Sequence, residues 1–266
     1  MIYAVQGQEN SKVNYSSKIA LVAGCLVLAW SVAAQTPPAP SKSPSPSDQA
    51  SGSPGPVPHT YEAALLHPET LQATAPDEYE VKFVTTAGDF TIKVTRAWAP
   101  YGADRFYNLV QHHFYDGSSF FRVIRGFMAQ FGWSPFPPVN VAWINATIKD
   151  DRVKQSNHRG YITFAMSSRP NSRSTQVFIN LVDNNSLDGR GFAPFGQVIE
   201  GMENVEKIYS GYGEGEPDGN GPRQDNVAGR GHTYLEKNFP KLDVVRSATL
   251  VQPEASPASG APSPAK

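Results

Sequence analysis

Apolar and polar residues alternate over Tyr79–Val84 and again over Asp89–Val94, with Thr-Thr-Ala-Gly between them, so a β-hairpin is predicted there. Trp98 to Gly102 then leads into a 3.6-residue period that puts Phe106, Leu109 and Val110 on one face, predicting a helix from about Ala103 to His113. Further strands are predicted at Phe120–Ile124, Tyr161–Met166, Ser174–Asn180, Phe195–Ile199 and Val244–Val251. Gly201–Tyr209 has the spacing of a short amphipathic helix, and residues 211 to 231 read as a long Gly-rich loop. Many short strands and two helices predict a mainly β fold, a closed β-barrel with the helices capping its ends.

The two ends of the chain break this pattern. Residues 35–76 begin with a Pro/Ser-rich run too poor in apolar groups to bury a core, so they are read as a disordered linker; residues 253–266 are read as a Pro/Ala/Ser tail. The folded domain is expected at residues 77–252, long enough for one full core. Before the linker, Lys12 and Lys18 precede the apolar run Ile19–Ala34, which ends in Val-Ala-Ala. Residues 1–34 therefore read as a secretory signal cleaved after Ala34. An uncleaved membrane anchor, or lipidation at Cys25 within a lipobox-like Val-Ala-Gly-Cys, are the alternatives. Each implies an exported protein, periplasmic or secreted, with membrane attachment through the N-terminus in the last two cases. Cys25 is the lone cysteine, so a chain cut after Ala34 has neither disulfide nor thiolate chemistry. The net charge of -1, with no basic block, gives no electrostatic case for nucleic acid.

The segment from Phe120 to Gly132 (FFRVIRGFMAQFG) carries the strongest chemical signal. Alternation places Arg122 on one face with Phe120 and Ile124, and a charge on an apolar face needs a partner or a task. Gln130 lies among Phe127, Met128 and Phe131, and Gln176 shares a strand face with Phe178. One arginine and two amides in an apolar cup suit a greasy ligand bearing a carbonyl, such as a prolyl peptide.

At these residues the chain resembles the cyclophilin family of peptidyl-prolyl cis-trans isomerases, in its compact bacterial branch. FFRVIRGFMAQFG is similar to the family's Phe-His-Arg-Val-Ile-x-x-Phe-Met-x-Gln-x-Gly. FAMSSRPNSRSTQVFIN and LDGRGFAPFGQVIEGMENVEKI resemble two later family segments in order and spacing. The resemblance covers about residues 78 to 251. It implies an eight-stranded antiparallel barrel with two helices, and rotation about Xaa-Pro bonds in proline-containing polypeptides. Arg122 stands at the catalytic arginine, with Phe127 and Gln130 also in the catalytic set. Met128, Phe178 and Leu187 stand at the walls of the proline pocket, Gln176 at a peptide-positioning site, and the backbone of Ser167 and Ser168 where substrate pairs. Two positions depart from the family. Ser186 replaces a tryptophan that favours cyclosporin, which implies weak cyclosporin binding. Gly191 and Phe192 occupy the region of a histidine that lines the pocket.

The reaction the resemblance implies makes and breaks no bond, so it calls for no cofactor and no metal. His112 and His113 adjoin Asp116, but adjacent helical side chains diverge and do not share an ion. Glu214, Glu216 and Asp218 lack the spacing of an EF-hand, so their loop is expected to be solvated. A monomer is expected. A proline-peptide binding module or holdase on the same fold is the competing function, favoured by Ser186 and the missing histidine. Arg122, Phe127 and Gln130 favour the isomerase.

Overall fold

The computed structural model of the protein describes residues 60–251. The signal or anchor segment, Cys25, most of the linker and the C-terminal tail lie outside the described residues. Eight strands form one antiparallel sheet: β1 Glu78–Thr85, β2 Phe90–Thr95, β3 Arg122–Ile124, β4 Met128–Phe131, β5 Tyr161–Phe164, β6 Val177–Asn180, β7 Pro194–Glu200 and β8 Val245–Leu250. Their order across the sheet is β3-β4-β6-β5-β7-β2-β1-β8. β1 and β2 form the predicted hairpin, with Val81 opposite Ile92 and Phe83 opposite Phe90.

The sheet is an open half-barrel and not the closed barrel expected. β3 and β8 stand at opposite ends of the strand order, and no ladder joins them. Among the described residues, an isolated bridge, Ser119 to Val244, draws the ends together, supported by the Phe120 amide donating to Asp243 O at 3.0 Å and the Gly117 amide donating to Val245 O at 2.7 Å. The reason is local. β3 has three residues, and the segment that meets the β8 side precedes it. This also moves Phe120 off the expected face: it lies in the main core against Phe131, while Ile124 faces a second, smaller cluster.

Both predicted helices are present, as α1 (Pro100–Gln111) and α3 (Met202–Lys207). Two more appear. α2 (Pro137–Trp143) opens on two prolines, which a first helical turn tolerates because its N–H groups have no intrahelical partner. α4 (Gln224–Asn238) occupies the end of the expected Gly-rich loop and is kinked at Gly231. At that kink the His232 amide donates to Pro135 O, and a Cβ on Gly231 would lie 2.2 Å from the same oxygen. Gly231 has φ 55° and ψ -141°, a region open essentially to glycine alone. Gly231→Ala is accordingly expected to lower stability by about 1–3 kcal/mol for the backbone strain alone, with the clash in addition. A denaturant titration showing an unchanged midpoint would contradict this.

The folded region begins earlier than residue 77. Short 3-10 turns at Ala63–Leu66 and Pro68–Thr70 pack on the domain, and Leu65 is buried. Trp143 Nε1 donates to Leu65 O at 2.8 Å, and the Asn108 side chain exchanges two hydrogen bonds with the backbone of Ala73. Tyr61, Leu65 and Leu71 supply the apolar anchors that the preceding Pro/Ser run lacks. The main core gathers Phe83, Phe90, Phe106, Tyr115, Phe131 and Phe195, with Phe83 stacked on Phe90 at 4.9 Å.

Candidate active site

β3 and β4 form a tight antiparallel pair in which Arg122 stands directly opposite Gln130. Directly opposite residues on a ladder point to one face, so the guanidinium and the amide meet: Arg122 Nη1 donates to Gln130 Oε1 at 3.0 Å. β6 lies on the other side of β4. From just before it, Gln176 accepts a hydrogen bond from Gln130 Nε2 at 2.9 Å. The arginine and two amides identified in the sequence thus form one hydrogen-bonded chain across the sheet.

Beside this chain lies the second apolar cluster. Met128, Phe178, Leu187 and Phe192 are buried, with Ile124, Phe127, Ala165 and Met166 packed around them. Phe127 sits in the β3–β4 turn, its ring 5.9 Å from the Arg122 guanidinium carbon. Leu187 comes from the 3-10 helix Asn185–Arg190. Phe192 fills wall space against Phe178, edge to face with centroids 5.7 Å apart, so an apolar ring lines the region where the family carries a histidine. Ser186, by contrast, is exposed. Ser167 and Ser168 lie in the loop after β5. The Ser167 amide donates to Ser172 Oγ and is therefore already engaged within that loop.

Asn157 braces one side of this cluster. Fully buried, it donates through Nδ2 to Asp188 Oδ1 and to Phe192 O, and accepts from Thr163 Oγ1 and Asn180 Nδ2. One side chain thus ties β5 and β6 to the segment that carries Leu187 and Phe192. Burial pushes the Asp188 carboxyl upward, but hydrogen bonds from Ser156 and Asn157 outweigh it and hold Asp188 below the usual range.

The largest departure from the sequence reading is at Glu214, expected in a solvated loop. Its carboxylate accepts from Arg122 Nε at 2.5 Å and from Nη2 at 2.6 Å, a bidentate pair. The two residues are 92 positions apart. The sequence signal that could have flagged the loop is the density of glycines around Glu214, Glu216 and Asp218, which marks a tightly built loop.

A family model described as cyclophilin type peptidyl-prolyl cis-trans isomerase/CLD matches residues 80–228. The chain belongs to this family. It is 35% identical over 179 residues to peptidyl-prolyl cis-trans isomerase B of Escherichia coli, covering 64% of this chain and 98% of that relative. It is 38% identical over 133 residues to a peptidyl-prolyl cis-trans isomerase of Acinetobacter baylyi, covering 48% of this chain and 70% of the relative. A Cryptosporidium parvum cyclophilin crystallised in the presence of the dipeptide Ala-Pro is similar to it with a TM-score of 0.48 and 18% identity, over 65% of this chain and 99% of that one. By its family model and its bacterial relatives, the present chain is a cyclophilin-type peptidyl-prolyl cis-trans isomerase.

Proposed function

We propose that Arg122 carries the isomerisation, by donating a hydrogen bond to the prolyl nitrogen as the amide twists. An amide resists rotation because the nitrogen lone pair is delocalised into the carbonyl, with a barrier of ~18–20 kcal/mol. At the twisted geometry the nitrogen is pyramidal and its lone pair localised, so it accepts a hydrogen bond that the planar amide accepts far less well. An interaction stronger in the transition state than in either ground state lowers the barrier. Each ~1.4 kcal/mol so gained is tenfold in rate. Guanidinium suits the task because it keeps its charge and offers several donors in a fixed plane.

The observation that carries this reading is the placement of Arg122, hydrogen-bonded to Gln130 and standing beside the buried cluster of Met128, Phe178, Leu187 and Phe192. The cluster holds the proline ring while the preceding carbonyl turns. Phe127 closes the cluster beside the arginine, and Gln176 helps align the substrate backbone. Ser167 and Ser168 would contribute backbone contacts, with Ser168 the better placed because the Ser167 amide is occupied. Turnover of an Ala-Pro peptide by the full chain and by Arg122→Ala tests the assignment; equal rates would remove it.

The wider proposal is that the enzyme assists the folding of exported proteins. The apolar segment Ile19–Ala34 and the Pro/Ser-rich run after it support a periplasmic or secreted location, with or without a membrane tether. The exposed Ser186 supports weak cyclosporin binding. The proposed state is a monomer.

A further inference from the structure

Arg122 is a cation whose side chain is only 13% exposed, and such a charge is costly without a counter-ion. Glu214 supplies the counter-ion in a side-on fork. It occupies the Nε–H and one Nη2–H, while Gln130 takes one Nη1–H. A guanidinium has five N–H donors. One remains on each terminal nitrogen; Nη1 also donates weakly to Met128 Sδ at 3.9 Å, a weak acceptor that does not compete with an amide.

The loop is built around this carboxylate. Gly221 donates its amide to Glu214 O at 2.7 Å, and Gly215 bridges to Gly221. A Cβ on Gly219 would lie 2.4 Å from Glu214 O, and one on Gly221 would lie 2.7 Å from it, so these glycines let the chain close around residue 214. The Gly215 amide donates to Glu214 Oε1 at 2.9 Å and fixes the carboxylate further. Both ends of the segment are anchored, by the Tyr209 amide on Asp243 Oδ2 and by the packing of α4 at Gly231 against Pro135. Burial raises the Glu214 carboxyl, but the hydrogen bonds and charge of Arg122 outweigh it and keep it ionised below the usual glutamate range.

We propose that Glu214 is a positioning residue of the isomerase site: it grips Arg122 by its Nε–Nη2 edge and presents the remaining terminal N–H groups to the twisting prolyl amide. This rests on the role given to Arg122 above. Misplacing a catalytic group by about 1 Å can cost about a hundredfold in rate, so restraint of a long, flexible side chain is a direct contribution to turnover. An inhibitory plug would instead have to fill the donors the substrate needs, and a side-on fork leaves the terminal pair.

The test is kcat and KM for an Ala-Pro peptide with the full chain and the variants Glu214→Gln, Glu214→Asp and Arg122→Ala. Glu214→Gln is expected to lower kcat by about ten- to a hundredfold with KM little changed, and Glu214→Asp to recover part of the loss. A pH profile of the unmutated protein needs no variant. Because the folded-state pKa of Glu214 is depressed, the ion pair persists down to the ordinary glutamate value of about 4.3 and is lost as pH falls through the lower folded value. The wild-type kcat should fall on that acid limb, and the limb should be missing in Glu214→Gln. A Glu214→Gln enzyme as fast as wild type, or faster, beside a dead Arg122→Ala would overturn the inference alone. Arg122→Ala at wild-type speed would remove the role of Arg122 and this inference with it.

Discussion

Arg122→Ala is expected to lower kcat/KM for an Ala-Pro peptide by about a hundred- to a thousandfold, the usual loss on removing one preorganised transition-state donor. The loss should fall on kcat. The apolar cluster of Met128, Phe178 and Leu187 stays in place, and in the proposed site it holds the proline ring in planar and twisted forms alike. Arg122→Lys should recover little. Lysine keeps the charge, but a single ammonium cannot reproduce a planar fork shared between Glu214 and Gln130. The substitution should leave the core intact, because Arg122 belongs to neither apolar cluster. Unfolding curves of the variants check that lost turnover is not lost structure. If kcat survives and only KM rises, Arg122 binds the ground state and does not act on the barrier.

The largest effect on stability is expected at Asn157→Ala. Truncation strips the Thr163 hydroxyl and the Phe192 carbonyl of a buried hydrogen-bond partner, at about 1–3 kcal/mol for each unsatisfied group. Asp188 still holds Ser156 and the Asn157 backbone amide, and Asn180 still holds Tyr161 O, so those groups lose less. A total of about 2–6 kcal/mol would be a large share of a typical stability of about 5–15 kcal/mol. The surviving folded enzyme should show a raised KM, since the wall bearing Leu187 and Phe192 loses its tie to β5 and β6. Denaturant titration with steady-state kinetics checks both effects. An unchanged midpoint and an unchanged KM would show that the Asn157 network neither stabilises the domain nor shapes the pocket.

What was legible in the sequence was what short-range pattern encodes. β1, β2 and β5 to β8 follow from alternation, and α1 and α3 from helical period. Arg122, Gln130 and Gln176 stand out because polar groups interrupt apolar strands, and the structure joins them. What escaped depends on distant partners. Glu214 is separated from Arg122 by a span in which no local rule predicts their meeting. The open sheet edge follows from how few residues β3 contributes, and that also reassigns Phe120 to the core. α2 was hidden by its opening prolines. α4 was hidden by Gly229 and Gly231, which lower helix propensity, although packing against Pro135 overrides it. The turns between residues 60 and 76 were masked by the linker composition before them, and only the partners of Leu65 and Ala73 show where the fold begins.

The central claim is that Arg122 acts on the twisted amide rather than on binding. NMR exchange spectroscopy on a labelled Ala-Pro peptide tests this most directly, because it reads the bound fraction and the on-enzyme cis–trans rate in one sample. With Arg122→Ala the bound fraction should stay close to that of the unmutated chain while the exchange rate collapses toward the uncatalysed value. Exchange at the wild-type rate and equal occupancy would contradict the account.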